Sequence, residues 1–305
     1  GGTGAVKGQM GTLWLPDVAV LATLLAHTGH LITPGASSWA PDSLTVSNGQ
    51  VMFPSGFQLS VTNNVRLLTN SALMLTNAAS LDVGGSLLLL VTNSTLSIWS
   101  APSNGATPYG CLVSVTGDLT AVTGCHVYPY SHWTNGGSVK FSVNNANIAF
   151  GASINANGKG YAGGKYGAFP TNGAGPGGGK SSSIRGGGGG YGGKGGNAND
   201  VVLGGGTYGS AIAPTDPGSG AGGGNTFGGN GGGLVWMVAE NAITIQGSLL
   251  ANGDPDGGDQ GGGGSGGGVY LVSPIIAGTG TVQAAGGGAG GGNSGGGGGG
   301  RICMA

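Results

Sequence analysis

The sequence GGSLLLLVTNSTLSI (84–98) recurs three times, as GGSVKFSVNNANIAF (136–150), GGGLVWMVAENAITI (231–245) and GGGVYLVSPIIAGTGTV (266–282). Copies two and three continue in step, as GASINANG (151–158) and QGSLLANG (246–253). Apolar and polar residues alternate within the copies, which is typical of β-strands with one buried face. The copies therefore predict a repeated unit of strand, turn, strand, turn and strand, followed by a glycine-rich excursion.

A shorter repeat lies between residues 44 and 98. Thr-Asn dipeptides separate several of its apolar pairs, and Asn tolerates the left-handed conformation of tight turns. The pairs are Val51 and Phe53, Phe57 and Leu59, Val65 and Leu67, Leu73 and Leu75, and Leu81 and Val83. Repeats this short with turn signals are typical of solenoids. We therefore predict an all-β fold, a right-handed parallel β-helix (β-solenoid) with Gly-rich, polyproline-II-like loops packed on one side.

Changes in composition divide the chain into four segments. We expect an N-terminal cap or inter-subunit docking segment at 1–43, a β-solenoid at 44–157, a Gly-rich insertion at 158–233, and a β-solenoid continuation with Gly-rich loops at 234–305. In the first segment, Asp17 to His27 is predicted as an amphipathic helix with Asp17 as its N-cap. The alternative is an extended segment from Leu13 to Leu21.

Composition excludes several classes of protein. The 305 residues include 76 Gly, only nine Lys or Arg and ten Asp or Glu, and 38% hydrophobic residues, so low charge here accompanies burial rather than disorder. The glycines keep no three-residue register, which excludes collagen. A net charge of −1 offers no basic surface for nucleic acid and little resistance to self-association. The longest apolar stretch, 18–26, is about half of what a membrane span needs, so no transmembrane segment is expected.

Glycine triplets followed by an apolar strand, together with the closing GGGGGGRI (295–302), resemble the glycine-rich β-helical repeat proteins of bacterial surfaces and extracellular filaments, including autotransporter-like passengers. The resemblance covers Leu44 to Ile302. It implies an extracellular or cell-surface location and carries over no catalytic residue. Gly1 in place of a starting Met indicates a processed chain or a fragment, so a secretion signal could already have been removed.

The acidic residues suggest one weak metal site and no catalytic centre. Solenoid enzymes that act on polysaccharides need clustered carboxylates, and no acid pair flanked by a basic residue is visible here. Asp254, Asp256 and Asp259 share one loop and could bind calcium, with a solvated acidic turn as the favoured alternative. We therefore expect no enzyme activity and no cofactor other than this calcium.

The densest group of aromatic residues is CHVYPYSHW (125–133), which contains Tyr128, Tyr130 and Trp133. Tyr and Trp favour interfaces, so a subunit contact ranks first, a glycan-stacking platform second, and a metal held by the two His residues third. Cys111 and Cys125, fourteen residues apart, could close a disulfide in an oxidising compartment.

These observations favour a structural subunit of an extracellular, self-assembling fibre whose partners are copies of itself. A monomeric surface adhesin that binds glycan through the aromatic residues is the alternative, and a polysaccharide-active solenoid enzyme is the third hypothesis. The residues predicted to form the assembly interface are Val18, Val20, Leu21, Leu24, Leu25, Tyr128, Tyr130 and Trp133.

Overall fold

The computed structural model describes residues 11–78, 80–103, 105–167, 171–199, 201–258, 260–291 and 293–305. Apart from a 3-10 helix at Val18–Val20, the regular structure of these residues consists of strands. Strands β1 to β23 span, in chain order, Thr12–Trp14, Leu24–Leu25, Gly29–Ile32, Ser38–Trp39, Leu44–Val46, Gln50–Met52, Gln58–Val61, Val65–Leu67, Ala72–Ala78, Ser80–Val83, Leu87–Leu89, Thr95–Ser100, Cys111–Val115, Leu119–Ala121, His126–Tyr130, Val139–Ile148, Ser153–Asn155, Leu234–Ile245, Ser248–Leu250, Gly268–Val272, Ile275–Ala277, Thr281–Gln283 and Arg301–Met304. The described residues contain no helix long and apolar enough to cross a bilayer.

The strands form two large parallel sheets. One sheet has nine strands in the order β1-β3-β6-β9-β12-β15-β17-β19-β22. The other has fourteen: ten follow the order β2-β5-β8-β11-β14-β16-β13-β10-β7-β4, and β18, β20, β21 and β23 continue from β16. Along the chain, successive strands of the nine-stranded sheet are separated by one or two strands of the other sheet, and each strand pairs with one from a neighbouring repeat.

The prediction of a right-handed parallel β-helix is wrong, because the architecture is that of a parallel β-sandwich of two sheets. The sequence predicted a turn in the middle of each long repeat, and the structure has none in copies two and three. There, β16 and β18 run on as single strands of ten and twelve residues. The first part of β16 pairs with β13 and the last part with β14, so two strand stacks merge into one sheet.

Polar contacts hold β16 extended where a turn was predicted. The Asp118 carboxylate accepts hydrogen bonds from the side-chain amides of Asn144 and Asn145, at 3.1 and 2.8 Å. The register of β16 against β18 shifts between Val143 and Asn145, where β18 has one residue more and forms a bulge. Strand β16 therefore continues through these Asn residues instead of ending at them.

The hydrophobic core lies between the sheets and is built from columns of matched residues. Leu59, Leu81, Val113 and Phe141 occupy paired positions on four successive strands, and each is fully buried. Parallel pairing in register places equivalent side chains directly above one another. The expected Asn corners are confirmed at three positions, since Asn70, Asn77 and Asn93 have φ values of 48°, 51° and 63°.

The glycine-rich segments pack against one another outside the two sheets. We call them the glycine bundle, and its segments are 160–165, 171–180, 186–196, 203–208, 217–224, 228–233, 260–267 and 295–300. Residues 186–190 are buried glycines at its centre. Their N–H and C=O groups bond to five other segments and to Gly196 of their own segment, for example Gly188 N–H to Gly196 O at 2.9 Å and Gly205 N–H to Gly188 O at 2.8 Å.

The partners of this central segment repeat every three residues. Gly186 and Gly189 donate to residues 260 and 263, whereas Gly187 and Gly190 donate to residues 180 and 177 on another segment. A period of three is that of a polyproline II helix, whose backbone groups point outward in three directions. Neighbouring backbones thus satisfy the buried polar groups that a glycine-rich chain cannot cover with side chains.

Candidate assembly edges and aromatic groove

Each sheet has an open edge at both ends of the molecule. Among the described residues, β1, β2 and β4 each pair with one neighbour only, and so do β21, β22 and β23 at the opposite end. An edge strand presents unpaired N–H and C=O groups that can pair with another chain. The first set we call the N-terminal edge and the second the C-terminal edge.

The core columns end uncovered at the C-terminal edge. Ile302 and Met304 of β23 lie opposite the fully buried Val269 and Leu271 of β20. Ile302 is nevertheless 47% exposed and Met304 48% exposed, because no further strand of the described chain covers them. Val282 of β22 likewise follows a fully buried residue and is only partly covered. The last layer of the core therefore presents apolar side chains to solvent.

The N-terminal edge shows the same arrangement. Leu13 of β1 lies opposite the fully buried Leu31 and is itself only partly buried. Of the predicted docking residues, Val18 and Leu21 are partly buried against the core, Val20 and Leu24 are exposed, and Leu25 is a core residue at 3% exposure. Four of these five side chains thus remain accessible at this edge.

The amphipathic helix predicted from Asp17 to His27 is wrong. Only Val18–Val20 is helical, as one turn of 3-10 helix, and the chain then enters β2. Asp17 does cap this turn, since its carboxylate accepts from the Ala19 N–H at 3.0 Å. Short isolated helices are marginal, and parallel pairing of β2 with β5 supplies backbone bonds that a helix would have to forgo. The predicted helix is replaced by one 3-10 turn and the edge strand β2.

The aromatic residues of 125–133 gather at one corner of the molecule. Tyr128 and Tyr130 lie on the same face of β15, and the ammonium of Lys159 lies over both rings, 5.1 and 4.9 Å from their centroids. Tyr130 stacks on Trp99 with a centroid distance of 4.3 Å and an interplanar angle of 12°. Trp133 follows the strand and is 62% exposed.

Two cavities open on either side of Trp133. The larger, of about 340 Å³, is lined by Thr76, Asn77, Trp99, Ser100, Ser131, His132 and Trp133. The smaller, of about 190 Å³, is lined by Trp99, Tyr130, Ser131, Trp133, Gly158, Lys159, Gly160, Ala162 and Asn230. Because Trp99, Ser131 and Trp133 line both, the two cavities form one surface feature, which we call the aromatic groove.

The charged groups of the groove are few. Burial lowers the pKa of the Lys159 ammonium, and the nearby Asp254 carboxylate opposes this shift. The Lys159 ammonium donates to Asn157 O at 3.1 Å. Burial also raises the pKa of the Tyr130 hydroxyl, so it stays protonated at neutral pH. The groove thus offers hydroxyl, amide and indole groups together with a single cation at one end.

The disulfide between Cys111 and Cys125 is not formed. Both residues are free and buried. Cys111 belongs to β13 of the fourteen-stranded sheet, whereas Cys125 immediately precedes β15 of the nine-stranded sheet. Burial, with a smaller effect from Asp82, raises the pKa of Cys111 to about 12, and the Cys125 thiol donates to Val91 O at 3.0 Å. Both side chains therefore act as small core residues.

The acidic loop gives no support for a calcium site. Asp259 lies outside the described residues, and Asp254 accepts a hydrogen bond from the Asn230 side chain at 3.1 Å. The Asp254 carboxylate lies beside Gly158, while that of Asp256 lies beside Gly290 on a different segment. His126 bonds to Ser153 at 2.8 Å rather than to His132. No group of three or more His, Cys, Asp or Glu side chains forms a metal-binding cluster in the described part of the chain.

Sequence reasoning missed Trp99 and Lys159, which complete the groove. Trp99 lies directly opposite Tyr130 in the parallel pair of β12 and β15. Two aromatic residues at the same position of successive repeats were the available signal, but the irregular insertion at 101–110 obscured it. Lys159 reaches the groove from the first residues of the glycine-rich insertion.

No protein-family model matches this sequence, and no curated protein or solved structure matches it. The fold and these surfaces define the class of the chain: an all-β protein of two parallel sheets with open edges and a packed glycine bundle.

Proposed function

We propose that this chain is a structural subunit of an extracellular fibre, in which each copy binds the next copy end to end. The C-terminal edge of one copy pairs with the N-terminal edge of another, so the sheets continue across the joint. Such a contact is heterologous, and a heterologous contact that does not close into a ring generates a filament. The proposal assigns no catalytic residue.

The observation that supports this proposal is that columns of stacked core residues end at both edges in partly exposed apolar residues. Ile302 and Met304 at one end, and Leu13 at the other, continue columns whose preceding members are fully buried. Another strand stacked on either edge would bury these side chains and pair the free backbone groups at the same time. Apolar burial is the main driving force of association.

Shape at the C-terminal edge also supports the joint. A cavity of about 200 Å³ opens there, lined by Ile245, Ile276, Ala277, Gly278, Gly280, Val282 and Met304. Leu24 of the N-terminal edge and Val20 in the 3-10 helix before it have exposed apolar side chains of a size to enter this cavity. The net charge of −1 adds little repulsion between copies.

The experiment is a concentration series of the purified chain, followed by sedimentation velocity and negative-stain electron microscopy. We expect unbranched filaments of uniform width whose mean length and sedimentation coefficient rise progressively with concentration, because end-to-end joining is the same at every step. A single sedimenting species of monomer mass at every concentration would reject the fibre and favour a monomeric adhesin.

A further inference from the structure

We propose that the aromatic groove is a binding site for an oligosaccharide, with one sugar ring stacked on Trp133. This inference does not depend on fibre assembly, since none of the groove residues belongs to either sheet edge. It assigns a ligand class to the corner formed by the ends of β12 and β15.

The exposed indole of Trp133 offers a flat surface for a sugar ring. Trp133 lies between the two cavities, and 62% of its surface is exposed. The ring of the neighbouring Trp99 is held in place by stacking on Tyr130. Aromatic rings have a negative face and a positive edge. A sugar ring presents polarised C–H groups on its flat face, which suits the face of an indole.

The lining of the larger cavity is largely polar. Thr76, Asn77, Ser100 and Ser131 place hydroxyl and amide groups around the indole, and no carboxylate lines either cavity. The hydroxyls of Thr76, Ser100 and Ser131 bond within the chain, and their oxygens can accept further hydrogen bonds. An apolar peptide or a lipid chain would cover the exposed Asn77 amide without bonding to it, at a cost in free energy. Sugar hydroxyls can donate to the hydroxyl oxygens and accept from the amide. A volume of about 340 Å³ lies within the range of small-molecule sites.

His132 can donate a hydrogen bond from its Nε2. Its Nδ1 accepts from the Asn135 N–H at 3.2 Å, and a backbone N–H can only donate, so the neutral ring carries its proton on Nε2. That N–H belongs to a residue lining the larger cavity. Lys159 lies in the smaller cavity on the other side of Trp133. A ligand that contacts both residues must therefore extend past Trp133 from one cavity into the other.

The test begins with a glycan array probed with the labelled full chain, at a concentration at which sedimentation velocity shows only the monomer. The strongest soluble oligosaccharide is then titrated while tryptophan fluorescence is followed. We expect saturable binding, with affinity at least about tenfold weaker for Trp133→Ala. Phe150→Ala is the matched control, because Phe150 is an exposed aromatic residue at 79% that lines neither cavity. Its affinity should equal that of the unmodified chain.

Two results would overturn the proposal. One is the absence of saturable binding to any glycan on the array, or equal binding by the chain and by Trp133→Ala. The other is a loss of lateral association between copies in Trp133→Ala without any glycan binding, which would assign the groove to contact between subunits. Because Trp133 is exposed, circular dichroism should show that its variant folds normally.

Discussion

At the scale of single residues, the glycine bundle is held together by backbone contacts that only glycine permits. A Cβ at Gly187 would overlap Leu203 O, and one at Gly205 would overlap Gly177 O. These neighbours are backbone atoms fixed by their own hydrogen bonds, so they cannot move aside as a flexible side chain would. Where the bundle has space, as at Gly299, nothing lies within 4 Å of the added carbon.

This contrast predicts the effect of adding one methyl group. Gly188→Ala should destabilise the fold by about 1–3 kcal/mol, because its Cβ would overlap the backbone at Gly296 in a buried position. Gly299→Ala, the matched control in the same bundle, should change stability by about 0.5 kcal/mol or less. The measurement is chemical denaturation followed by circular dichroism. Equal midpoints for the two variants would show that the bundle is not packed as described.

At the scale of elements, the edge strands carry the proposed assembly. Arg301 N–H donates to Gly267 O and Ala305 N–H to Leu271 O, so both point towards β20. Successive residues of a parallel strand direct their backbone groups to opposite sides, and the N–H of Ile302 therefore points to the open edge. This group is available to a second copy without disturbing the fold.

Ile302→Pro should block filament growth while leaving the subunit folded. Proline removes the outward N–H and is tolerated on edge strands. We expect the dissociation constant for joining two copies to rise at least about tenfold, which corresponds to about 1.4 kcal/mol. Ile302→Val is the matched control, since it keeps the N–H and an apolar β-branched side chain. Light scattering across a concentration series measures the effect, and unchanged assembly of Ile302→Pro would exclude β23 from the joint.

The elements also show what could be predicted from sequence. The alignment of GASINANG with QGSLLANG is confirmed, because Ser153 pairs with Ser248 and Ile154 with Leu249. The alignment of the first glycine triplet with the second is wrong: Leu87 pairs with Leu119, whereas Val139 pairs with Cys111. The triplet at 84–86 precedes a different strand of the repeat from the triplet at 136–138. A glycine run marks a loop but does not say which strand follows it.

Neither the two-sheet architecture nor the aromatic groove could be predicted from the sequence, because both depend on contacts between repeats. Strand β16 continues through Asn144, whose side-chain amide bonds to the Asp118 carboxylate of the preceding repeat. The stacking of Trp99 on Tyr130 depends on the length of chain that loops out between them. Both are contacts between repeats, and the local pattern of residues contains no information about them.

At the scale of the whole molecule, the two sheets give the subunit a defined length along the stacking direction. The nine-stranded sheet has nine strands side by side along this direction, and neighbouring strands lie about 4.8 Å apart. A fibre that continues the sheets from copy to copy would therefore repeat after about 40 Å, with its strands perpendicular to the fibre axis. The glycine bundle would lie along the outside of the sheets in every subunit.

The most direct test is helical reconstruction of the filaments by cryo-electron microscopy. We expect an axial rise of about 40 Å for each subunit, with a layer spacing of about 4.8 Å that continues through the joint. Filaments whose subunits meet side by side, or whose 4.8 Å spacing is interrupted between subunits, would contradict the claim that the open sheet edges build the fibre.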